Sequence, residues 1–253
     1  MQYPDEGELY KATAPDAAKK IKHLVFFVHF FGGHPKALKR HIALVNELGY
    51  DAYVFKLKDS LKEHQYIPYS PVSKKFGLKH ALADQIEEHL NLLPQYKTKI
   101  VFAFSNVAGC AIETLARRQG AEQNQDVIAL ICDSGPGAAF MYSSYKLIEH
   151  EMQIKSVVLK MMTTPIVMFS WSPARHKDIP KDLQKLPNHF PVLSIRGWKD
   201  KLISPAHIDQ IFEPAKNINW RKLALPEAEH LSGLRDFAEE YRTGLVAFLL
   251  DLP

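Results

Sequence analysis

Lys99-Ile-Val-Phe-Ala-Phe-Ser105-Asn-Val-Ala-Gly109 is the stretch on which the fold turns. An apolar run of β character stops at a serine, and small residues then open a helix-like stretch toward Arg118. A strand-to-helix turn of this kind strains the serine backbone and lifts its hydroxyl above the sheet. Small residues two places either side let strand and helix approach. Those places hold Ala103 and Val107, where the motif G-x-S-x-G has glycine. The blander reading of the fragment is a serine that caps a helix after a buried strand.

Two later loops add weight to the first reading. Pro191-Val-Leu-Ser-Ile-Arg196 reads as a buried strand, and the loop after it carries Asp200. Ile218–Leu225 reads as another strand, followed by Pro226-Glu-Ala-Glu-His230-Leu-Ser-Gly233 and a final amphipathic helix. Taken singly, Asp200 is a turn residue and His230 a polar group at a helix entry. Together they give the chain order Ser, Asp, His, each after its own strand, which resembles the order in α/β-hydrolases. Asp133, at the end of the preceding strand, is the alternative acid. His29 and His34 are the alternative partners for the serine.

The first strand, His23–Val28, leads into His29-Phe-Phe-Gly-Gly-His34-Pro35, which is similar to the H-G-x-G-G loop of α/β-hydrolases with Phe30 in place of the first glycine. That resemblance implies an oxyanion hole made by the backbone N–H groups of Phe31 and Asn106. The blander reading of Gly32-Gly33 is a plain turn. No phosphate-binding glycine pattern continues from it.

Strand-like and helix-like segments alternate along the 253 residues. Strands are expected at 24–28, 52–57, 99–104, 127–132, 191–196 and 218–225. Helices are expected around Leu38–Leu48, Leu78–Leu93 and Phe237–Phe248, and residues 58–75 read as an irregular loop with Pro68 and Pro71. This pattern predicts a mostly parallel sheet of about six or more strands with helices on both faces, in a single domain spanning 1–253. Residues 138–190 are rich in Tyr, Met, Phe and Trp and read as a cap insertion. Phe30, Met141, Tyr142, Tyr145, Met161, Met162, Met168, Phe169 and Trp171 are candidates for an apolar acyl pocket. The plainer role for most of them is to pack the cap on the sheet.

A formal net charge of +4, with lysines spread along the chain, does not point to nucleic acid. The basic stretches Lys19–Lys22 and Lys36–Arg40 read as solvated flanks. Cys110 and Cys132 fall in apolar segments, which argues for a reducing, cytoplasmic setting and against a disulfide scaffold. The start of the chain does not read as a secretory signal. The apolar stretch Val157–Trp171 is too short to span a bilayer. The twelve histidines lack metal-ligand spacing, so neither a metal nor a cofactor is expected.

Phe104-Ser105-Asn106, Asp133-Ser-Gly-Pro-Gly137 and the Asp200 and His230 loops together resemble a narrower α/β-hydrolase-like family. It is a domain of unknown function, some eukaryotic members of which are named transmembrane proteins. The likeness runs over most of residues 22–250. Where that family tends to have Asn-Gly-Gly after the serine, this chain has Asn106-Val107-Ala108-Gly109. The superfamily resemblance implies a serine hydrolase, the narrower family supplies no substrate, and the apolar residues of 138–190 point to a small-molecule ester or thioester with an apolar acyl group. Ser105 would be nucleophile, His230 base and Asp200 its orienting acid. The alternative is a non-catalytic binding or scaffold protein of the same fold, which Val107 and Phe30 favour.

Overall fold

Six parallel strands and one antiparallel edge strand form the central sheet. The computed structural model describes residues 3–13, 23–119, 126–150, 153–174 and 176–253. The stretch Lys19–Lys22 and residues 151, 152 and 175 of the 138–190 segment lie outside the described residues. In chain order the elements are β1 (Glu8–Tyr10), β2 (Leu24–Val28), α1 (Lys39–Glu47), β3 (Asp51–Val54), β4 (Tyr69–Ser70), β5 (Lys75–Phe76), α2 (Leu78–Asn91), β6 (Lys99–Phe104), α3 (Ala108–Arg118) and β7 (Val127–Asp133). They continue with α4 (Phe140–His150), α5 (Val157–Trp171), α6 (Ile179–Leu183), β8 (Phe190–Gly197), α7 (Pro205–Phe212), β9 (Ile218–Leu225), α8 (Gly233–Asp236) and α9 (Ala238–Leu250). The sheet runs β1-β3-β2-β6-β7-β8-β9, and β4 and β5 form a separate hairpin.

Alternation along β2 explains the layering. Leu24, Phe26 and Val28 point into a core shared with α2, α3, α6 and α7, while Val25 and Phe27 point into one shared with α1 and α9. Successive side chains of a strand face opposite ways, so a run that is apolar throughout marks a sheet covered on both faces. All five residues of β2 and all six of β6 are buried.

The six expected strands all occur in the sheet, and three local differences stand beside them. β3 ends at Val54, short of Leu57, because the next backbone N–H groups find partners off the sheet. Lys56 donates to the Asp5 carbonyl, Leu57 to His29 Nε2 and Lys58 to Gln85 Oε1. β1, antiparallel to β3, was not expected; its three residues are half-buried or exposed and carry no apolar run. The region read as an irregular loop contains the short β4–β5 hairpin.

Candidate active site

Ser105 follows β6 directly and sits at φ 55°, a left-handed conformation that a non-glycine residue adopts at a cost. A one-turn 3₁₀ helix, Ser105–Val107, then leads into α3. Gly135, after β7, packs directly on this turn, where an added Cβ would lie 2.5 Å from both the carbonyl carbon and oxygen of Ser105. Val107 is fully buried in the apolar core beside the elbow.

His230 and Asp200 reach the same point from the ends of β9 and β8. Ser105 Oγ is 3.0 Å from His230 Nε2, and His230 Nδ1 is 2.7 Å from Asp200 Oδ2. The other carboxylate oxygen of Asp200 accepts the backbone N–H groups of Leu202 and Ile203, each at 2.8 Å. With Nδ1–H donating to the carboxylate, Nε2 is left as the acceptor for the serine hydroxyl. Asp200 and Ser105 are buried, while the His230 side chain keeps 19 % of its surface exposed.

Asp133 faces elsewhere. Tyr241 donates its hydroxyl to Asp133 Oδ2 at 2.7 Å, and the Ser134 hydroxyl donates to Oδ1 at 2.8 Å. Ser134 Oγ in turn accepts the N–H of Leu231 at 3.1 Å, and Leu231, the residue after His230, sits at φ 56°. The β7 loop therefore braces both the serine and the histidine turns. The sequence carried a visible signal of this in Ser134-Gly135, but nothing in the fragment alone says which backbone it meets.

The loop after β2 leaves the sheet beside the elbow, since Val28 pairs with Ala103. His29 fastens it: Nδ1 donates to the Phe30 carbonyl at 2.8 Å and Nε2 accepts from Leu57 N at 2.9 Å. Burial holds the His29 pKa below the usual imidazole range, against a smaller opposing contribution from the Phe30 carbonyl. Gly32, at φ 70°, donates its N–H to Asp59 Oδ2 at 2.6 Å. Phe31 N–H meets no acceptor among the described residues. His34 Nδ1 accepts from Lys36 N, so neither His29 nor His34 partners Ser105.

Asn106, next to the serine, fastens α4 to the site. Its Nδ2 donates to Ser143 Oγ at 3.3 Å and its Oδ1 accepts from Gly137 N at 3.3 Å. An apolar groove of about 470 Å³ lies between α4 and α5, lined by Met141, Tyr142, Tyr145, Met161, Met168 and Phe169 among others. The other three pocket candidates lie outside it. Phe30 packs against the α1 and α9 core, and Met162 is on the outer face of α5. Trp171 is buried edge-on to Phe31 and donates its indole N–H to His176 Nε2 at 2.8 Å.

One group among the described residues has metal-ligand spacing: His80, Glu113 and Asp178, with ligand atoms all within 4.8 Å. Lys79 already occupies both carboxylates, at 2.7 Å from Asp178 and 3.2 Å from Glu113, and Arg117 also pairs with Glu113. The donor set is that of a buried ion-pair cluster.

No family model matches the sequence, and no curated protein matches it. Solved structures match it in shape. A thermostable carboxyl esterase from Bacillus coagulans is 15 % identical with a TM-score of 0.66, covering 96 % of this chain and 92 % of the esterase. The esterase Pf2001 of Pyrococcus furiosus is 16 % identical with a TM-score of 0.61, over 91 % of this chain and 81 % of that one. A proline iminopeptidase of Mycobacterium smegmatis is 14 % identical with a TM-score of 0.60, over 96 % and 93 %. The chain has the α/β-hydrolase fold, with the mostly parallel sheet and flanking helices of that class.

Proposed function

We propose that the chain is a serine hydrolase cleaving a carboxylic ester or thioester with an apolar acyl group. The observation that carries this reading is the unbroken hydrogen-bond relay from Ser105 through His230 to Asp200, set at a strained serine turn. Ser105 Oγ attacks the acyl carbon while its proton passes to His230 Nε2. The N–H groups of Phe31 and Asn106 hold the oxyanion. Collapse breaks the bond to the leaving alcohol or thiol, which takes the proton from His230. Water, deprotonated by His230, then attacks the acyl-serine carbonyl, the proton returns to Ser105, and the acid is released. Asp200 fixes the imidazole tautomer and stabilises its charged form.

In this reading residues 138–190 form a cap on a single 1–253 domain, and the α4–α5 groove takes the acyl chain. Two free, buried cysteines suit a cytoplasmic setting. Among the described residues no helix is long and apolar enough to cross a membrane. Phe30 and Val107, bulky where the superfamily motifs have glycine, favour a second reading in which the same fold binds a ligand without turnover. A fluorophosphonate probe separates the two. Stoichiometric labelling that Ser105→Ala abolishes is the expected result, and a folded but unlabelled wild-type protein would leave the binding reading.

A further inference from the structure

Helix α5 is apolar on its outer face as well as on part of its inner one. Its inward stripe is Lys160, Thr164, Met168 and Trp171, with Lys160 bonded to Glu149 at 2.6 Å and lying over the Tyr145 ring. Outward it presents Val158, Met162 and Ile166, and Met161 and Phe169, which line the α4–α5 groove, are as open, each of the five 63–67 % exposed. A helix that ends its folding in water places its apolar stripe inward and its polar face outward. An outer face this apolar marks a surface made for contact.

A second exposed apolar element stands beside it. The segment around β4–β5 presents Ile67, Val72 and Phe76, each at least 60 % exposed. At its root, a Cβ on Gly77 would lie 2.6 Å from the Trp171 carbonyl at the end of α5. Both insertions leave the sheet from the C-terminal ends of parallel strands, β3 and β7, which is also the end where Ser105 sits.

Charge identifies the occupant. Residues 61–76 and 153–177 contain six lysines and an arginine against a single acid, Glu63. Five of those lysines, Lys62, Lys74, Lys75, Lys155 and Lys177, are exposed. Exposed apolar side chains fringed by lysine fit a membrane surface bearing anionic headgroups. Fifteen residues at about 1.5 Å each span roughly 22 Å, short of the hydrocarbon core, so α5 would lie in the interface and not cross it.

We propose that α5 and the β4–β5 hairpin seat this protein on an anionic bilayer surface, with the Ser105 end of the sheet facing the lipid. Docking stands on the surface alone. Its corollary, that the acyl ester comes from the bilayer, rests on the hydrolase reading above.

The test is co-sedimentation of the full chain with vesicles of phosphatidylcholine, with and without phosphatidylserine. Wild type and Ser105→Ala are expected to bind the mixed vesicles equally and the neutral ones less. The pair Val158→Glu and Ile166→Glu should weaken partition by at least about tenfold, leaving turnover of a water-soluble short-chain ester unchanged. These side chains are exposed, so the fold should survive; K74E with K75E, on the hairpin, gives a second variant that should lose the phosphatidylserine dependence. Failure of the wild type to bind, or binding that Val158→Glu and Ile166→Glu leave intact, overturns the proposal. A solution dimer that those two changes dissociate, without vesicle binding, overturns it in favour of a second copy. Ester turnover surviving in Ser105→Ala overturns the corollary alone.

Discussion

Asp200 and Asp133 illustrate how two buried carboxylates at neighbouring strand ends come to different work. Asp200 spends one oxygen on two backbone N–H groups and turns the other to His230 Nδ1. Asp133 spends both on hydroxyls, from Tyr241 and Ser134, and stiffens the loop that holds Gly135 against Ser105. Asp200→Asn should therefore lower kcat of an ester substrate by about 10⁴-fold, through the wrong imidazole tautomer, with little loss of stability. Asp133→Asn should do the opposite: about 1–3 kcal/mol of stability lost as a buried hydrogen bond is disrupted, with kcat reduced far less. Paired kinetics and urea unfolding on the two variants check this, and a kcat collapse confined to Asp133→Asn would reverse the assignment of the acid.

Among the elements, the Trp171 end of α5 is fastened by one histidine. His176 Nε2 accepts the Trp171 indole N–H at 2.8 Å, and its Nδ1–H donates to the Gly137 carbonyl at 3.0 Å, which joins the end of α5 to the β7 loop. His176→Leu keeps most of the volume but strands a buried donor and a buried acceptor, so a loss of about 2–4 kcal/mol is expected in urea unfolding. A change within about 0.5 kcal/mol would show that the two hydrogen bonds do not hold the helix. None of this was legible in the sequence, where His176 is one of twelve histidines. The inner parallel strands were legible because strands buried on both faces are written as continuous apolar runs, as in Leu24–Val28 and Ile100–Phe104. β1 was not, since an edge strand of three residues needs no such run. That Ser105, Asp200 and His230 each follow a strand could be read from the sequence, and the structure brings them within hydrogen-bond reach of one another. The brace formed by Ser134 and Gly135 depends on packing between segments about 30 and 100 residues apart, which no local pattern records.

Across the whole molecule, buried titratable groups bound the pH range in which the fold is most stable. Burial lowers the His176 pKa from 6.5 to about 4, and it also lowers those of His29 and His89. His176 binds fewer protons folded than unfolded between those limits, so it contributes stability above about pH 6.5 that is lost as the pH falls toward 4, and His29 and His89 act in the same direction. For His176 alone the full loss is on the order of 3 kcal/mol. Glu113 adds to the acid limb at lower pH. Burial pushes its carboxyl up, but His80, Lys79 and Arg117 together hold it well below the usual range, so its contribution disappears once it protonates. On the alkaline side the sign reverses. Burial raises the thiol pKa values of Cys110 and Cys132 above the usual 9, so the unfolded chain loses these protons first and stability falls as the pH rises past 9. A stability maximum between about pH 6.5 and 9 is therefore expected from urea unfolding across pH. His176→Leu should flatten the acid limb between pH 6.5 and 4, and Cys110→Ala with Cys132→Ala should flatten the alkaline one. A wild-type profile level from pH 4 to 6.5 would mean that these histidines are not held neutral by the fold.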